Sequence, residues 1–533
     1  HWKNCRLTLM VIKTLGINLI KRLRANLLNK QNLLSFFYGL SLVLAYAPFS
    51  QWWVMLIVLP LFFNSINGTD VRTATKQGFI FALGWFASGI SWVHVSIDQF
   101  GGLPLVFSLL LMLLLCCYLA LYPALACYLS SRFSPNRKFS LWLLPPFWMI
   151  SEYFRTNVLT GFPWLSIGYS QIDGPLSSFA PLIGEVGISA LLIVISIALI
   201  NTVKGFYRKS HFLLLSIIAI GSYLLTTVTW VNPTQNTVKT ALVQGNVEQS
   251  MKFEPEKEWP TMLMYLDHAR ENYDADIIIW PESAITAQEP TAQDFLVMAD
   301  KSAALNNSAI ITGILNYKFD SKAYFNSLVV LGKKESADDV GHYRYDHSNR
   351  YYKNHLLPIG EFVPFGELLR NIAPIFNLPY SSFTRGNYVQ PNLLANGRHI
   401  LPLICFEIAF PEQLAANFTD DTDILLTVSN DSWFGDSHGP HQHLEIARMR
   451  ALEFGRPLLR ATNNGVTAIV DHQGKIQAIL PQFTEAVLKA EITLVEGKTF
   501  YSQYWQLIHW LFPFLFLVIF CIVQRLFRTN STS

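Results

Sequence analysis

Eight apolar stretches, at about 31–47, 51–66, 77–97, 103–130, 139–157, 176–202, 211–231 and 503–523, dominate the pattern of this chain. Each approaches the roughly 20 residues a helix needs to cross a bilayer. The first two are short and separated only by Pro48-Phe-Ser-Gln51. Between the seventh and eighth the pattern changes. Short, nearly continuous apolar runs at Thr237–Val243, Asp276–Trp280, Ala309–Leu315, Ser327–Leu331, His399–Cys405 and Ile424–Val428 read as buried strands. Lys257–Asn272, Thr291–Ala304 and Gln442–Phe454 carry helical periodicity. Leu458–Ala461, Val466–Val470, Ile476–Ile479 and Ala486–Glu491 follow as short strands with a turn at Asp471-His-Gln-Gly474. Strands alternating with helices predict sheets covered by helices on their outer faces.

Basic residues between the apolar stretches order them across the bilayer. Lys13, Lys21, Arg22, Arg24 and Lys30 precede the first stretch, and Arg72 and Lys76 follow the second. Arg132, Arg137 and Lys138 follow the fourth, Lys204, Arg208 and Lys209 the sixth, and Arg525 and Arg528 the last. The loops at 48–51 and 98–102 contain neither Lys nor Arg. With seven spans before the polar region and one after it, every basic cluster falls on the cytoplasmic side. The expected domains are a basic cytoplasmic arm at 1–30, a membrane domain at 31–231, an extracytoplasmic domain at 232–502, a final span at 503–523 and a cytoplasmic tail at 524–533. No small-residue cleavage site follows the first apolar run, so no cleaved signal peptide is expected.

Composition agrees. The chain is 51% hydrophobic and only 14% charged, where soluble proteins carry about a quarter charged residues, and its mean hydropathy is +0.28. A net charge of +3 gives no support to a nucleic-acid partner. The partner these numbers favour is the lipid bilayer. Glu152 and Glu185 interrupt apolar segments; each is either a functional carboxylate or one wetted near a span end.

Candidate chemistry centres on Cys405, which ends the apolar run Leu401-Pro-Leu-Ile-Cys405. It is the only cysteine between Cys127 and Cys521, so it cannot staple its own domain. It is either a buried hydrophobe or a nucleophile. Two companions occupy similar contexts. Glu282 ends Ile277-Ile-Ile-Trp-Pro, where desolvation suits a general base for a thiol. Lys353 lies in Tyr351-Tyr-Lys-Asn-His355, where an ammonium can stabilise a thiolate and an oxyanion. Glu361 is close enough in sequence to support Lys353. His355 competes for the same space and ranks lower. Taken singly, Glu282 reads as a helix cap and Lys353 as a strand-edge lysine. Ser429-Asn-Asp-Ser-Trp433-Phe-Gly435 lines a site or merely ends a strand, and Arg448, Arg450 and Glu453 read as a structural ion-pair set.

In order and context, Glu282, Lys353 and Cys405 resemble the Glu-Lys-Cys triad of the nitrilase (carbon–nitrogen hydrolase) superfamily. Gly161-Phe-Pro-Trp-Leu-Ser-Ile-Gly-Tyr-Ser-Gln171, Gln244-Gly-Asn246, the block from Lys353 to Phe365, Met449-Arg-Ala-Leu-Glu453 and Arg460-Ala-Thr-Asn-Asn-Gly465 are similar to motifs of the bacterial apolipoprotein N-acyltransferases. The resemblance spans the chain from about the first apolar stretch to the last. It implies a polytopic α-helical membrane domain carrying an α/β, four-layer αββα nitrilase-like sandwich on the periplasmic side of the inner membrane. It implies ping-pong acyl transfer from a phospholipid donor, through Cys405 as nucleophile, to a diacylglyceryl apolipoprotein acceptor. Glu282 is then the general base, Lys353 the oxyanion and thiolate stabiliser, and Glu361 a supporting carboxylate. Phe253, Phe406, Glu407 and Trp433 are expected to bind substrate. Phe253 stands where the family commonly has Trp, and Phe406 where it commonly has Tyr. A monomer without cofactor or metal is expected; the alternative activity is a membrane-anchored amidase using the same triad.

Overall fold

The computed structural model describes residues 29–252, 254–358, 360–362 and 383–529. The residues before 29, Phe253 and the last four residues of the tail lie outside the described residues, so most of the basic arm and one expected substrate contact are without a structural account.

Helices occupy all eight apolar stretches: Lys30–Ser41, Val54–Ile66, Val71–Gly89, Leu105–Arg132, Leu144–Asn157, Ala180–Lys204, Arg208–Leu225 and Phe500–Thr529. Among the described residues, Leu105–Arg132 and Pro175–Lys204 are each long and apolar enough alone to cross a membrane. The stretch expected to run unbroken from 77 to 97 does not. It bends by 59° between Val71–Gly89 and Val93–Gln99.

The extramembrane part contains two sheets. The strands of the first are β1 (Asn232–Gln244), β2 (Ile277–Ile279), β3 (Ile285–Gln288), β4 (Ala309–Lys318), β5 (Ala323–Gly332) and β6 (Arg350–Tyr352). Those of the second are β7 (Leu393–Ala395), β8 (Arg398–Ile404), β9 (Ile424–Ser429), β10 (Leu458–Thr462), β11 (Ala468–Val470) and β12 (Ile476–Ile479). The last strand, β13 (Ala486–Glu496), returns to the first sheet. The first sheet runs β13-β1-β2-β4-β5-β6, with β3 beside β4; the second runs β12-β11-β10-β9-β8-β7. In each, three central strands are parallel, β1-β2-β4 and β8-β9-β10, and the flanking pairs of the main path are antiparallel.

Period-two side-chain direction sorts the continuous apolar strands into layers. Ile277 and Ile279 face the second sheet, where they meet Ile404, Val428 and Leu459, whereas Ile278 between them turns outward. Outside the first sheet lie Pro255–Arg270 and Gln293–Leu305, packing Tyr265, Leu266, Phe295 and Leu296 against it. Ile400 and Ile404 face inward on the second sheet, and Leu401 and Leu403 outward. The result is the four-layer αββα sandwich.

The fourth layer has a double allegiance. Helix Gly439–Phe454 packs Ile446, Ala447 and Met449 into a core that continues without a break into the apolar helices of the N-terminal region. Gln442 accepts from the indoles of Trp92 (3.1 Å) and Trp164 (2.8 Å) and donates to the Gly89 carbonyl (3.0 Å). Glu445 accepts from the Ala47 N–H at 3.0 Å, Arg448 pairs with Asp173 at 2.5 Å, and Arg450 reaches both Tyr169 (3.2 Å) and Glu453 (3.1 Å). The expected ion-pair set is therefore a seam between the two regions.

Candidate active site

The two sheets present their strand ends to one another, and the three chemistry-bearing residues meet there. β2 stops at Ile279, and Trp280-Pro281 turns the chain so that Glu282 stands at the strand end with only 7% exposure. The turn is tight, with Ser283 at φ +50°. It rests directly on β4 at Gly313, where an added Cβ would lie 2.4 Å from the Ser283 nitrogen and 2.8 Å from the Glu282 Cα. Lys353 follows β6 and is 2% exposed; its N–H donates to the Asn326 carbonyl of β5 at 2.9 Å. Cys405 follows β8 and opens a short turn, Cys405–Ala409, with φ +53°. A non-glycine residue in the left-handed region carries backbone strain, and such residues cluster where a side chain must be presented at a fixed angle.

Lys353 is clamped between two carboxylates. Its Nζ lies 3.5 Å from Glu282 and 2.8 Å from Glu361. The Asn326 Nδ2 amide bridges the same pair, donating to Glu282 Oε1 at 2.8 Å and to Glu361 Oε1 at 3.0 Å. Glu282 Oε2 takes the Asn430 N–H at 2.9 Å, and its main-chain carbonyl accepts from the buried ammonium of Lys252 at 3.1 Å. Burial opposes the charge on Lys353, but Glu361, Glu282 and Cys405 outweigh it and hold the ammonium above its ordinary range. Burial pushes the Cys405 thiol up to about 12, with Glu282 adding to the rise and Lys353 opposing it. The resting sulfur is thus a thiol, and its proton leaves only to a base already in place.

The structure departs from expectation at Glu407. Its carboxylate is fully buried and accepts from the N–H groups of Ile404 (2.8 Å), Asn354 (2.8 Å) and His355 (3.0 Å), from Tyr351 Oη (3.0 Å) and from Gln413 (2.8 Å). Five donors leave no face for a substrate. Glu407 instead fastens the segment after Lys353 to the segment before Cys405. Phe406 is buried among Phe162, Trp164, His355 and Phe410, with ring centroids at 5.9, 6.3, 5.8 and 5.1 Å. Trp433 is 38% exposed, and its carbonyl accepts from Ser96 at 2.5 Å. His355 stacks on Phe410 at 3.6 Å, and burial lowers its pKa to about 4, leaving a neutral ring in the wall.

Glu152 and Glu185 are buried, not wetted. Glu152 pairs with Arg155, which donates to the carbonyls of Phe162 (2.8 Å) and Trp164 (2.6 Å). Glu185 accepts from Ser166 and from Ser189 (2.9 Å). Together they hold the Gly161–Gln171 motif against Phe406.

Asn326 escapes a reading of the sequence because nothing local marks its partners. The available signal was an asparagine inside the apolar strand Ala323–Gly332, since a buried amide requires hydrogen-bond partners.

Two family models match the chain: the apolipoprotein N-acyltransferase N-terminal domain over residues 38–198 and the carbon-nitrogen hydrolase family over 239–500. The apolipoprotein N-acyltransferase of Shewanella oneidensis is 51% identical over 475 residues, covering 88% of this chain and 91% of that protein. The Vibrio cholerae protein of the same name is 50% identical, covering 87% and 92%, and that of Haemophilus influenzae is 38% identical, covering 91% and 94%. With its carbon-nitrogen hydrolase sandwich joined to apolar helices, and relatives this similar over nearly their whole lengths, the chain belongs to the apolipoprotein N-acyltransferase family.

Proposed function

We propose that the protein transfers an acyl chain from a membrane phospholipid to Cys405, and then to the α-amino group of a diacylglyceryl-cysteine lipoprotein. The observation that carries this reading is the buried Glu282–Lys353–Glu361 cluster facing a strained cysteine in a domain whose fourth layer is continuous with apolar helices. In the first half-reaction Glu282 takes the thiol proton as sulfur attacks the ester carbonyl. Lys353 and the backbone N–H after Cys405 hold the oxyanion. The C–O bond breaks and the lysophospholipid oxygen leaves with the proton from Glu282. In the second, Glu282 takes a proton from the attacking amine, the C–S bond breaks and the thiol is restored. Phe406 and its aromatic neighbours exclude water, which favours transfer over hydrolysis. Phe253 and Trp433 are assigned to substrate contact in the same scheme.

Mass spectrometry of the protein after incubation with phospholipid alone tests this directly. The expected product is an acyl thioester on Cys405, discharged on adding a diacylglyceryl peptide; discharge to free fatty acid instead indicates that water is the acceptor, as in a hydrolase, and cleavage of an added acyl amide then tests the amidase alternative.

The reading also places residues 232–502 in the periplasm, with both termini in the cytoplasm and the protein acting as a monomer in the bacterial inner membrane. In a reporter-fusion scan, residues 66–76, 131–138 and 203–210 are expected on the cytoplasmic side and 237–495 outside. A cytoplasmic large domain overturns the substrate assignment.

Gly313→Ala tests the support beneath the base. Its new methyl meets backbone rather than a movable side chain, so the Glu282 turn must shift. A displacement of about 1 Å costs about a hundredfold in rate, against an overpacking cost of about 1–3 kcal/mol. Single-turnover acylation is expected to fall far more than thermal stability; unchanged acylation refutes the dependence on this turn.

A further inference from the structure

Beside Cys405, on the second sheet and the helix that covers it, lies a buried polar unit that acyl transfer as described leaves idle. It comprises Ser429 at the end of β9, Asp431 in the turn after it, His443 on helix Gly439–Phe454 and Arg460 on β10, all 2% exposed or less. Asp431 Oδ2 pairs with Arg460 Nη2 at 2.6 Å, and Oδ1 accepts from the Ser429 hydroxyl at 2.5 Å. His443 Nε2 lies 3.1 Å from the Cys405 carbonyl oxygen. A carbonyl only accepts, so that nitrogen carries the proton. His443 Nδ1 then accepts from Arg460 Nη2 at 3.1 Å and lies 3.2 Å from Asp431 Oδ1. Burial and Arg460 keep the imidazole below its ordinary pKa, and Arg460 holds the Asp431 carboxyl well below the carboxylate range. The charges are therefore fixed: one carboxylate, one guanidinium, one neutral ring.

Ser429 is the member with freedom. Its Oγ stands 3.4 Å from Cys405 Sγ as well as touching Asp431, and it owns a single hydroxyl proton. Against a thiol, the carboxylate is the stronger acceptor. Against a thiolate, the sulfur competes.

We propose that Ser429 is a positioning residue whose hydroxyl proton points to Asp431 while the sulfur is a thiol or thioester, and turns to the sulfur whenever negative charge develops there. Arg460 and His443 keep Asp431 in place to take it back. The assignment rests on Cys405 being the nucleophile. No bond beyond the hydrogen bond changes, so the device needs no co-reactant. Its value is differential: the hydrogen bond forms as the thiol ionises and again as the C–S bond breaks, not in the resting states. The other charged groups acting on the sulfur are Glu282 and Lys353 from the first sheet and Asp431 from the second, with Glu361 behind Lys353 and Arg460 behind Asp431.

The test is alkylation of Cys405 by iodoacetamide in the full-length protein in lipid nanodiscs, followed peptide by peptide across the neutral-to-alkaline range. Ser429→Ala is expected to slow alkylation about three- to tenfold at fixed pH, the worth of one hydrogen bond, and to move the profile to higher pH. Ser429→Thr, which keeps the hydroxyl, restores it. Asp431→Asn turns an amide donor toward Ser429, frees the hydroxyl proton for sulfur and speeds alkylation. Removing the Asp431 charge favours the thiolate by itself, so the gain over Ser429→Ala in the Ser429→Ala/Asp431→Asn double variant must be smaller than the gain of Asp431→Asn over wild type, the difference being the share carried by the hydroxyl. A wild-type profile in Ser429→Ala, or equal gains from Asp431→Asn with and without the hydroxyl, overturns the proposal. The acyl thioester on wild-type Cys405 is scored separately, so failure of the acyl-transfer reading remains distinguishable from failure of this one.

Discussion

Cys405→Ala yields a folded, membrane-inserted protein that accumulates no acyl-enzyme and transfers nothing, and Cys405→Ser does the same. The side chain removed is small and lies at a strand end, at the edge of the inter-sheet core. The network that fixes the turn runs through Glu407 and the Cys405 carbonyl, neither of which the substitution touches. Serine keeps the shape but ionises far less readily than a thiol. The site's own burial and the Glu282 charge already oppose a negative charge at this position. Acyl-enzyme is read by intact-protein mass spectrometry and insertion by membrane fractionation. Turnover retained in either variant refutes a covalent intermediate on residue 405.

Lys353→Met produces the next largest loss. It removes an oxyanion donor, which costs about a hundredfold to a thousandfold in rate. It also strips the cation from between Glu282 and Glu361, leaving two carboxylates that share one Asn326 amide. Breaking a buried pair also costs stability, about 3–5 kcal/mol, so thermal unfolding is measured beside acylation. Glu282→Gln loses the base, worth about a hundredfold or more, but it relieves the charge that raises the thiol, and its deficit is expected to be the smaller. Groups that act as one unit are non-additive. The double variant should be scarcely worse than Lys353→Met alone in single-turnover acylation. Clean multiplication of the two losses, or acyl-enzyme at the wild-type rate in either single variant, counts against a shared role.

What the amino-acid pattern made legible follows from the physics of burial. Ile277–Ile279, Leu401–Ile404 and Ile424–Val428 are apolar on both faces because each lies between a sheet and a helix layer, and the polar residue that interrupts such a run marks its end. Glu282 and Cys405 could be located for that reason. β3 and β7 were missed because, unlike the equally short β2, neither sits in a longer apolar run, and β6 showed only as the strand context of Lys353. The bend after Gly89 is invisible to hydropathy, which stays high through it. Glu407 was placed wrongly for a different reason. Its role depends on β6 and β8 ending side by side in different sheets, so that Asn354 and His355 offer N–H groups to a carboxylate some fifty residues away. Asn326, Asp431, His443 and Arg460 are of the same kind, since each partner is supplied by topology rather than by neighbours in the chain.

The shared helix Gly439–Phe454 has a consequence for modularity. In a free-standing αββα sandwich the outermost helices turn a polar face to water. Here that face is spent: Leu444, Met449 and Phe454 continue into the core shared with the N-terminal apolar helices, while Gln442, Glu445 and Arg448 are engaged by residues from the N-terminal third of the chain. The hydrolase half is therefore not excisable, because cutting at the boundary exposes an apolar surface and orphans a row of polar partners. The join also couples the two halves mechanically. Gln442 binds the Gly89 carbonyl and His443, the next residue, binds the Cys405 carbonyl, so one helix ties the N-terminal helices to the backbone of the nucleophile.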